Sequence, residues 1–417
     1  MSTPRTSAAW IEVPFFRPSL TEAEIDEVLD TLRSGWLTTG KKVRRFEEEF
    51  AARVGAKHAV AVNSCTAALH LALEARELKP GQAVLVPTMT FAATAEVVRY
   101  QGAIPILVDC DPKTLNMDLV DAARKLELLR SSRLDGIVRA GNREIEAAGI
   151  IAVHVGGLMM DIDALTLFAG RNGLWVIEDA AHAFPAAWRP STSDPWRQCG
   201  EGTADVSCFS FYANKTITTG EGGMAVTNDE ELSHRMRMMS LHGLSHDAWN
   251  RYSNGGSWDY KIAAPGFKYN LTDIAAAIGI HQLARAEAMR EAREEKARQY
   301  RSRLASIEQI ELPPDDPNRV HSWHLFPVKL NLDSISIDRN QFVEELKKRG
   351  VGCSVHWRPL HLHPYYERTF GWQPTDLPVA TEVWTRLVSL PLFPQMTERE
   401  IDHVVSSVAK ICSAYAR

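Results

Sequence analysis

Short apolar segments alternate with helical segments through the first half of the chain, and this alternation restricts the possible folds more than any other feature. Five segments have the length and apolar content of buried strands: residues 58–62, 83–87, 104–108, 150–155 and 174–177. The segments between them have helical spacing or small residues, at 64–74, 92–100 and 163–171. Strands that are apolar throughout are typical of parallel sheets covered by helices on both faces. The sequence therefore predicts an α/β fold around a mixed, mostly parallel sheet.

The length of the chain indicates a second domain. A chain of 417 residues is too long for one simple core. A long helix is predicted over residues 273–305, and a smaller α/β unit follows it, with one strand at 352–356. We place a large domain at residues 1–290, of which 1–20 form an N-terminal arm, and a small C-terminal α/β domain at 291–417.

Composition and charge argue against several classes of protein. The net charge of -5 is too small for a general affinity for nucleic acids or anionic membranes. No apolar run reaches the ~18 residues of a membrane span, and the N-terminal sequence lacks a signal-peptide pattern. The six cysteines are scattered without a C-x-x-C pair, which favours reduced thiols over disulfides or zinc. We therefore expect a cytoplasmic protein without nucleic-acid or membrane partners.

A single lysine stands where a predicted strand ends. Lys215 follows that strand, and a polar turn at 216–223 leads into a second strand at 224–226. A partly desolvated amine has a lowered pKa and can attack a carbonyl carbon. The alternative is a hairpin with a solvated lysine at its tip.

An aspartate closes another predicted strand. Asp179 ends the sequence VIED, at the carboxyl end of a buried strand, where α/β proteins place their sites. A carboxylate there could pair with a pyridinium nitrogen, which makes the ring a better electron sink. The alternative is that Asp179 caps a following helix.

Three further features complete a possible cofactor site. The strand-to-helix turn at 63–68 is made of small polar residues, and free amides at a helix start bind phosphate. Ser210 adds a hydroxyl five residues before Lys215, and Phe91 could stack on a flat ring, although an aromatic residue there more often belongs to the core. An amine, a carboxylate, a phosphate cradle and a ring stacker are together what pyridoxal 5′-phosphate requires.

Three other sequence patterns are typical of binding sites, but the residues around them do not support that interpretation. Residues 35–41 spell G-x-x-x-x-G-K, but a helix precedes them and lysine follows, where a phosphate loop needs Ser or Thr. Residues 220–225 match G-x-G-x-x-A, but they precede a strand instead of opening a helix. His356, His361 and His363 are weak evidence for a metal, and we predict no metal site.

Several separated motifs occur in one order that is known from a family of enzymes. They are SGWLTTG, SCTAALHLAL, PTMTFAAT, VIEDAAHAF, FSFYANKTITTGEGG, GFKYNLTDIAAAIG, HSWHLFPV and SVHWRPLHLHPYY. In these motifs the chain resembles the DegT/DnrJ/EryC1/StrS nucleotide-sugar aminotransferases over nearly its whole length. The resemblance implies the fold of PLP-dependent aminotransferases of fold type I. Within the family the chain is most similar to C4 aminotransferases, one of which makes UDP-4-amino-4-deoxy-L-arabinose.

The resemblance implies a role for each residue around the cofactor ring. Lys215 is implied to bind pyridoxal 5′-phosphate as an imine and then to move protons. Asp179 is implied to pair with the ring nitrogen. His182, at a position where many relatives have Gln, is implied to lie beside the ring hydroxyl, and Phe91 is implied to stack on the ring.

The resemblance also implies phosphate contacts. Cys65, Thr66 and Ser210 are the contacts expected from the same subunit, with Cys in place of the commoner Gly. In relatives an Asn of the G-[FY]-N-Y-R motif reaches the phosphate from a second subunit. In this sequence the corresponding motif reads GFKYN. Either Lys268 or Asn270 is therefore implied to make the phosphate contact from the second subunit.

Some relatives with histidine in place of the lysine dehydrate their substrates, so Lys215 favours transamination. The implied reaction takes the amine of L-glutamate, releases 2-oxoglutarate and aminates a nucleotide-linked 4-keto-sugar, in a homodimer with shared active sites. The product is expected to serve cell-surface glycan or natural-product biosynthesis. The alternatives are amination at C3 or of a keto-cyclitol, and a non-catalytic PLP-binding regulator.

Five residues are candidates for contacts with the sugar nucleotide. Trp36 and Thr38 lie in a loop that borders the site in relatives. His324 and His356 belong to motifs near its entrance, and Arg358 could meet a diphosphate. Trp36 could instead serve packing, and Arg358 could lie in solvent.

Overall fold

One central sheet organises the fold. The computed structural model describes residues 11–131, 145–244 and 261–417, so residues 1–10 of the predicted N-terminal arm lie outside the described residues. The strands in these ranges are β1 (His58–Val62), β2 (Ala83–Pro87), β3 (Ile104–Val108), β4 (Ala147–Val153), β5 (Trp175–Asp179), β6 (Ala187–Trp188), β7 (Arg197–Gln198), β8 (Val206–Ser210), β9 (Gly223–Thr227), β10 (Ile310–Glu311), β11 (Arg319–Val320), β12 (Phe326–Leu330) and β13 (Leu387–Leu390).

The central sheet has the order β1-β9-β8-β5-β4-β2-β3. Strand β9 is antiparallel to both of its neighbours, and the remaining strands are parallel. The predicted mixed, mostly parallel sheet is therefore confirmed. Strands β10, β12 and β13 form a second sheet, and β11, β6 and β7 form a third, both antiparallel.

Helices cover the central sheet and continue into the C-terminal part. In the described residues they are α1 (Glu22–Ser34), α2 (Lys41–Val54), α3 (Cys65–Ala75), α4 (Ala93–Tyr100), α5 (Leu119–Arg130), α6 (Ile162–Asn172), α7 (Glu230–Ser240), α8 (Asp273–Ala284), α9 (Ala286–Leu304), α10 (Arg339–Lys348), α11 (Pro364–Phe370), α12 (Pro378–Arg386) and α13 (Glu398–Ala414). Across these ranges, no helix has both the length and the apolar content needed to cross a bilayer.

Aromatic packing fixes the strand that leads to Lys215. Phe209 and Phe211 are fully buried and contact Phe50 of α2, with ring centroids 5.1 and 5.4 Å apart. Successive side chains of a strand point to opposite faces. Ser210, which lies between the two phenylalanines, therefore points away from them.

The described residues contain two large apolar cores. The first lies around the central sheet and includes Ala286 and Met289 of α9. The second lies around β12 and β13 and includes Tyr300 and Leu304 of the same helix. Helix α9 therefore contributes to both cores, and the domain boundary near residue 290 stays a prediction.

Two predicted elements are wrong. The helix predicted over 273–305 is divided at Arg285, whose ψ of 3° is not helical and whose guanidinium forms a salt bridge with Glu24. The strand predicted at 352–356 does not form. This segment is hydrogen-bonded to Val13 near its start and to Ser389 further along. Because these partners belong to two different segments of the chain, the hydrogen bonds do not continue as one strand pairing.

Helix α1 has its apolar residues on the outside. Ile25, Leu29 and Leu32 have exposed fractions of 46%, 38% and 50%, whereas Glu24 and Thr31 are buried. Glu24 accepts a hydrogen bond from Gln282, and its pairing with Arg285 offsets the cost of burying the carboxylate. The apolar stripe of α1 therefore does not face the core of this chain.

Candidate active site

A cavity of about 370 Å³ lies beyond the carboxyl ends of β5 and β8. In a parallel sheet this is the edge at which ligands bind. Most of the predicted site residues line the cavity: Cys65, Thr66, Phe91, Asp179, His182, Ser210, Lys215, His324 and His356.

Lys215 is half-buried in this cavity. Its backbone N–H donates to Tyr212 O at 3.0 Å, and its Nζ lies 3.5 Å from Nε2 of His324. Burial lowers the pKa of Lys215 to about 8, while the nearby Cys65 and Asp179 act in the opposite direction. The structure therefore does not support a solvated lysine at a hairpin tip. An amine with this pKa is partly uncharged near neutral pH, as a nucleophile or base must be.

Asp179 is buried at the last position of β5. Its carboxylate accepts hydrogen bonds from Thr94 Oγ1 at 2.7 Å and from the N–H of Ala181 at 3.2 Å. A turn rather than a helix follows, so the interpretation of Asp179 as a helix cap is wrong. Burial raises the pKa of the carboxyl, and the hydrogen bond from Thr94 lowers it.

Among the described residues, no cation lies within salt-bridge distance of Asp179. A buried carboxylate without a cation is costly, and a ligand that carries a proton on a ring nitrogen would compensate it. The carboxylate and the amine of Lys215 line one cavity, so one ligand can reach both. This arrangement fits the predicted cofactor.

The start of α3 lines another part of the cavity. Ser64 caps this helix, because its Oγ accepts the N–H of Ala67 at 3.1 Å. A Cβ on Gly223 would come within 2.6 Å of the backbone of Ser64 and Cys65, so only glycine permits this close approach of β9. The approach brings the amides at the helix start beside Ser210.

The chemistry of Cys65 limits how it could bind a phosphate. Its thiol donates to Cys208 O at 3.5 Å and lies 4.0 Å from Oδ1 of Asp179. Burial raises the pKa of the thiol well above its usual value, so the sulfur stays protonated. A phosphate contact of Cys65 would therefore use its backbone N–H, and the hydroxyls of Thr66 and Ser210 would add to it.

Two rings on the cavity wall could face a planar ligand. Phe91 has an exposed fraction of 62% although it lines the cavity, so it is not a core residue. His182 is buried, and burial holds its pKa well below the usual value, so the imidazole is neutral. Its Nδ1 accepts the N–H of Gly156 at 3.3 Å.

Trp357 also lines the cavity and was not predicted. Its indole stacks on His182, with ring centroids 5.0 Å apart and planes 18° from parallel. It follows His356 directly in the motif SVHWRPL, which is the only signal that the sequence offers. Tryptophan usually serves packing, so the residue type alone does not indicate a site.

Lys268 and Asn270 lie outside this cavity. Lys268 Nζ donates to Asn270 Oδ1 at 2.6 Å, and Asn270 Nδ2 donates to Thr39 Oγ1 at 2.7 Å. Asn270 also forms a bridge with Val62 at the end of β1. The two predicted phosphate ligands therefore do not line the cavity formed by this chain.

Three predicted substrate residues also lie away from the cavity. Trp36 Nε1 donates to Thr39 O at 3.1 Å, and Thr38 O accepts the N–H of Asp273 at 3.1 Å. Arg358 donates to a backbone carbonyl and stacks over the ring of Trp384. All three have partners within this chain.

The carboxylate of Asp273 gives a physical reason to reject a phosphate loop at residues 35–41. It accepts the backbone N–H groups of Gly40, Lys42 and Val43. The amides at the start of α2 are therefore already occupied by an anion of the same chain.

Two histidine clusters bear on metal binding. Both ring nitrogens of His361 contact threonine hydroxyls, at 2.7 and 2.8 Å, which leaves neither for an ion. The ligand atoms of His154, Glu178 and Cys199 lie within 4.8 Å of one another. His154 pairs with Glu178, which also accepts two hydroxyls, so this group is hydrogen-bonded without an ion. The prediction of no metal site stays a prediction.

The sequence of the chain was compared with those of known proteins, and it matches one family. Residues 18–409 match the model of the DegT/DnrJ/EryC1/StrS aminotransferase family. Spore coat polysaccharide biosynthesis protein SpsC of Bacillus subtilis is 42% identical over 400 residues, which cover 96% of this chain and 97% of that protein.

Solved structures agree over nearly the whole chain. The PLP form of Spr1654 from Streptococcus pneumoniae has a TM-score of 0.85 and 29% identity, covering 97% of this chain and 99% of that one. Helicobacter pylori PseC, an aminotransferase involved in the biosynthesis of pseudoaminic acid, has a TM-score of 0.84 and 25% identity, covering 97% and 100%. The predicted aminotransferase fold is thereby confirmed. The chain belongs to the DegT/DnrJ/EryC1/StrS aminotransferase family.

Proposed function

We propose that the protein transfers the amine of L-glutamate to a nucleotide-linked 4-keto-sugar, giving a 4-amino sugar nucleotide and 2-oxoglutarate. The observation that carries this proposal is the pair formed by a half-buried amine, Lys215, and a buried carboxylate, Asp179, in one cavity. The names of SpsC and PseC support a role in glycan biosynthesis.

The cofactor is pyridoxal 5′-phosphate, and this prediction is confirmed by the family match and by the PLP and PMP forms of Spr1654. When bound, it supplies a pyridinium ring that withdraws electrons from the carbon bearing the amine. Asp179 would keep the ring nitrogen protonated, and Phe91 would contact one face of the ring. The amides at the start of α3 would hold the phosphate together with Thr66 and Ser210.

Lys215 would carry the proton that leaves and returns to carbon during transfer of the amine. Its lowered pKa leaves part of the amine uncharged near neutral pH, so Nζ can take a proton from carbon and return it. Phe91, His182 and Trp357 line the same cavity as this amine. His182, as a neutral imidazole, would donate a hydrogen bond to the ring hydroxyl or accept one from it.

The proposal includes a homodimer with shared active sites. The stripe of Ile25, Leu29 and Leu32 on α1 is exposed, and exposed apolar stripes of this kind mark protein interfaces. Neither Lys268 nor Asn270 reaches the cavity of its own subunit. The phosphate contact would therefore come from Lys268 or Asn270 of the partner subunit.

The substrate would enter past His324 and His356, which line the cavity. Trp36, Thr38 and Arg358 remain proposed contacts for the more distant parts of the sugar nucleotide. A cytoplasmic location is also part of the proposal, and the six free thiols support a reducing compartment.

The proposal is tested with a panel of nucleotide-linked 4-keto-sugars. Purified protein, pyridoxal 5′-phosphate and glutamate are mixed with each compound, and the amino product is detected by mass. Matched 3-keto-sugars and keto-cyclitols test the two alternative acceptors. Amination of a 4-keto-sugar supports the proposal, whereas product only from a 3-keto-sugar or a cyclitol contradicts it. If the protein were instead a non-catalytic regulator, it would still bind the cofactor, but glutamate would not bleach the visible absorption of the bound cofactor.

A further inference from the structure

The hydrogen bonds of His182 determine which of its two ring nitrogens carries a proton. Its Nδ1 accepts the N–H of Gly156 at 3.3 Å, so this nitrogen must have a lone pair. An imidazolium donates from both nitrogens and has no such lone pair, whereas a neutral imidazole carries a single proton. The ring is therefore neutral, and its proton lies on Nε2. The position of this proton decides whether the ring donates or accepts at Nε2.

The turn that supplies the N–H to His182 is itself held by hydrogen bonds. Gly156 has a φ of +66°, a left-handed conformation that glycine adopts at little cost. Its carbonyl accepts the N–H of Leu325 at 3.2 Å, and the carbonyl of Gly157 accepts the N–H of Ser322 at 3.2 Å. Ser322 Oγ also donates to the backbone carbonyl of His182 at 2.5 Å. The side chain and the backbone of His182 are therefore both bonded to this small group of residues.

Trp357 fixes the plane of the imidazole. Its indole is stacked on the ring of His182, with centroids 5.0 Å apart and planes 18° from parallel. The bond to Gly156 selects between two ring orientations that differ by a half-turn, because only one of them presents a nitrogen to that N–H. The stack opposes orientations between these two, because they would tilt the imidazole against the indole. The two contacts together therefore hold Nε2 in one place.

The surroundings of His182 leave Nε2 open to a ligand. His182 lines the same cavity as Lys215, and among the described residues no acceptor lies within hydrogen-bond distance of Nε2. The titratable groups that face the ring are Lys215, His356 and His324, whose ring centroid is 4.2 Å away. Burial, Lys215 and His356 hold the pKa of His182 well below its usual value. A ligand in this cavity therefore meets a neutral ring that offers an N–H.

We propose that Trp357 is a positioning residue, which holds His182 as a hydrogen-bond donor toward the ligand in the cavity. The acceptor would be the ring oxygen of pyridoxal 5′-phosphate, whose deprotonated, negatively charged form a donated hydrogen bond stabilises. His182 then donates to this oxygen and does not accept from it. The identity of the acceptor rests on the proposed function, whereas the position of the proton on His182 applies equally to the protein without cofactor.

The position of the proton is measured by nitrogen-15 NMR on cofactor-free, full-length protein labelled at histidine. Protonated and unprotonated imidazole nitrogens have well-separated chemical shifts, and His182→Gln identifies the signals of His182 by their loss. We expect the proton on Nε2 alone between about pH 5.5 and 7.5, a range that spans the usual histidine pKa of ~6.5. A wild-type protein with the proton on Nδ1, or with a ring that titrates in this range, would overturn the proposal.

Substitutions at residue 357 test the contribution of the stack. Trp357→Leu removes the stacked ring and should give averaged shifts from a mixture of the two tautomers, whereas Trp357→Phe should keep the proton on Nε2. A folded Trp357→Leu protein with the proton on Nε2 alone would overturn the positioning role. Should Trp357→Leu not fold, Trp357→Gln takes its place, and the same result would overturn the role there.

Trp384→Leu is the matched control. Trp384 is a partly buried tryptophan, but its ring contacts the guanidinium groups of Arg339 and Arg358 instead of His182. Its loss should leave the proton of His182 on Nε2. A mixture of tautomers in Trp384→Leu would show that any loss of packing has this effect, and it would overturn the specific role of Trp357.

The pH dependence of the visible absorption of the bound cofactor provides a second measurement. Because a donated hydrogen bond favours the deprotonated ring oxygen, His182→Leu should move the midpoint upward by about 1–2 pH units. Trp357→Leu should move it in the same direction by less, and Trp384→Leu should not move it. An unchanged midpoint in Trp357→Leu would overturn the positioning role. Failure of the wild type to aminate any keto-sugar would instead refute the proposed function and leave the NMR result intact.

Discussion

The hydroxyl of Thr94 at the start of α4 donates a 2.7 Å hydrogen bond to Oδ2 of Asp179 at the end of β5, and both residues are buried. A buried carboxylate at a sheet edge needs such a donor, because no cation of the described chain lies within salt-bridge distance of it. The bond fixes the orientation of the carboxylate and opposes the rise in its pKa that burial causes.

Thr94→Val should weaken this orientation while preserving the shape of the side chain. A hydrogen bond to a charged group contributes about 1.5–3 kcal/mol, so we expect the transamination rate to fall at least about tenfold. Thr94→Ser keeps the hydroxyl and is the control. Steady-state kinetics distinguish the two variants, and equal rates for Val and Ser at this position would show that the hydroxyl is dispensable.

Asp179→Asn should leave cofactor binding largely intact and slow the proton transfer by several orders of magnitude, because an amide cannot keep a ring nitrogen protonated. Single-turnover measurements with glutamate, followed by absorbance, separate this step from binding. An unchanged single-turnover rate would rule out the role assigned to Asp179.

The pH dependence of Lys215 is testable without cofactor. Burial lowers its pKa from 10.5 to about 8, so acetylation by acetic anhydride should become half-maximal near pH 8 for this lysine. The negative charge of Asp179 favours the ammonium form, so Asp179→Asn should move the midpoint to lower pH. Peptide mass spectrometry gives the extent of labelling. A midpoint above pH 10 would mean that the amine is solvated.

Leu29→Glu on the apolar stripe of α1 should weaken the proposed homodimer at least about tenfold, because a charge would then be buried at the interface. Leu167 of α6 is similarly exposed, at 54% against 38% for Leu29, so Leu167→Glu is the matched control. Sedimentation velocity measures both variants. A wild type that is monomeric and fully active would refute the shared active site.

The sequence alone predicts the elements whose stability is local. Apolar runs place β2 and β3 at the bounds found in the structure, because each residue of these strands is buried whichever face it points to. Lys215 and Asp179 could be singled out because a charged residue at the end of an apolar strand needs a chemical explanation. Their convergence on one cavity follows from the parallel order of β5 and β8.

Features that depend on tertiary partners could not be predicted. The break at Arg285 reflects its pairing with Glu24, far away in the sequence. The spacing of apolar residues in α1 gives a helix but does not reveal whether the stripe faces its own core. Trp357 has no local signal that distinguishes a cavity wall from ordinary packing.

Identifying the lysine that binds the cofactor tests the proposed chemistry at its starting point. The protein loaded with pyridoxal 5′-phosphate is reduced with borohydride, digested and analysed by peptide mass spectrometry. We predict that the pyridoxyl group lies on Lys215, and that Lys215→Ala lacks both the visible absorption of the imine and all turnover. A label on another lysine, or a Lys215→Ala variant that keeps its absorption and its activity, would contradict the role of Lys215.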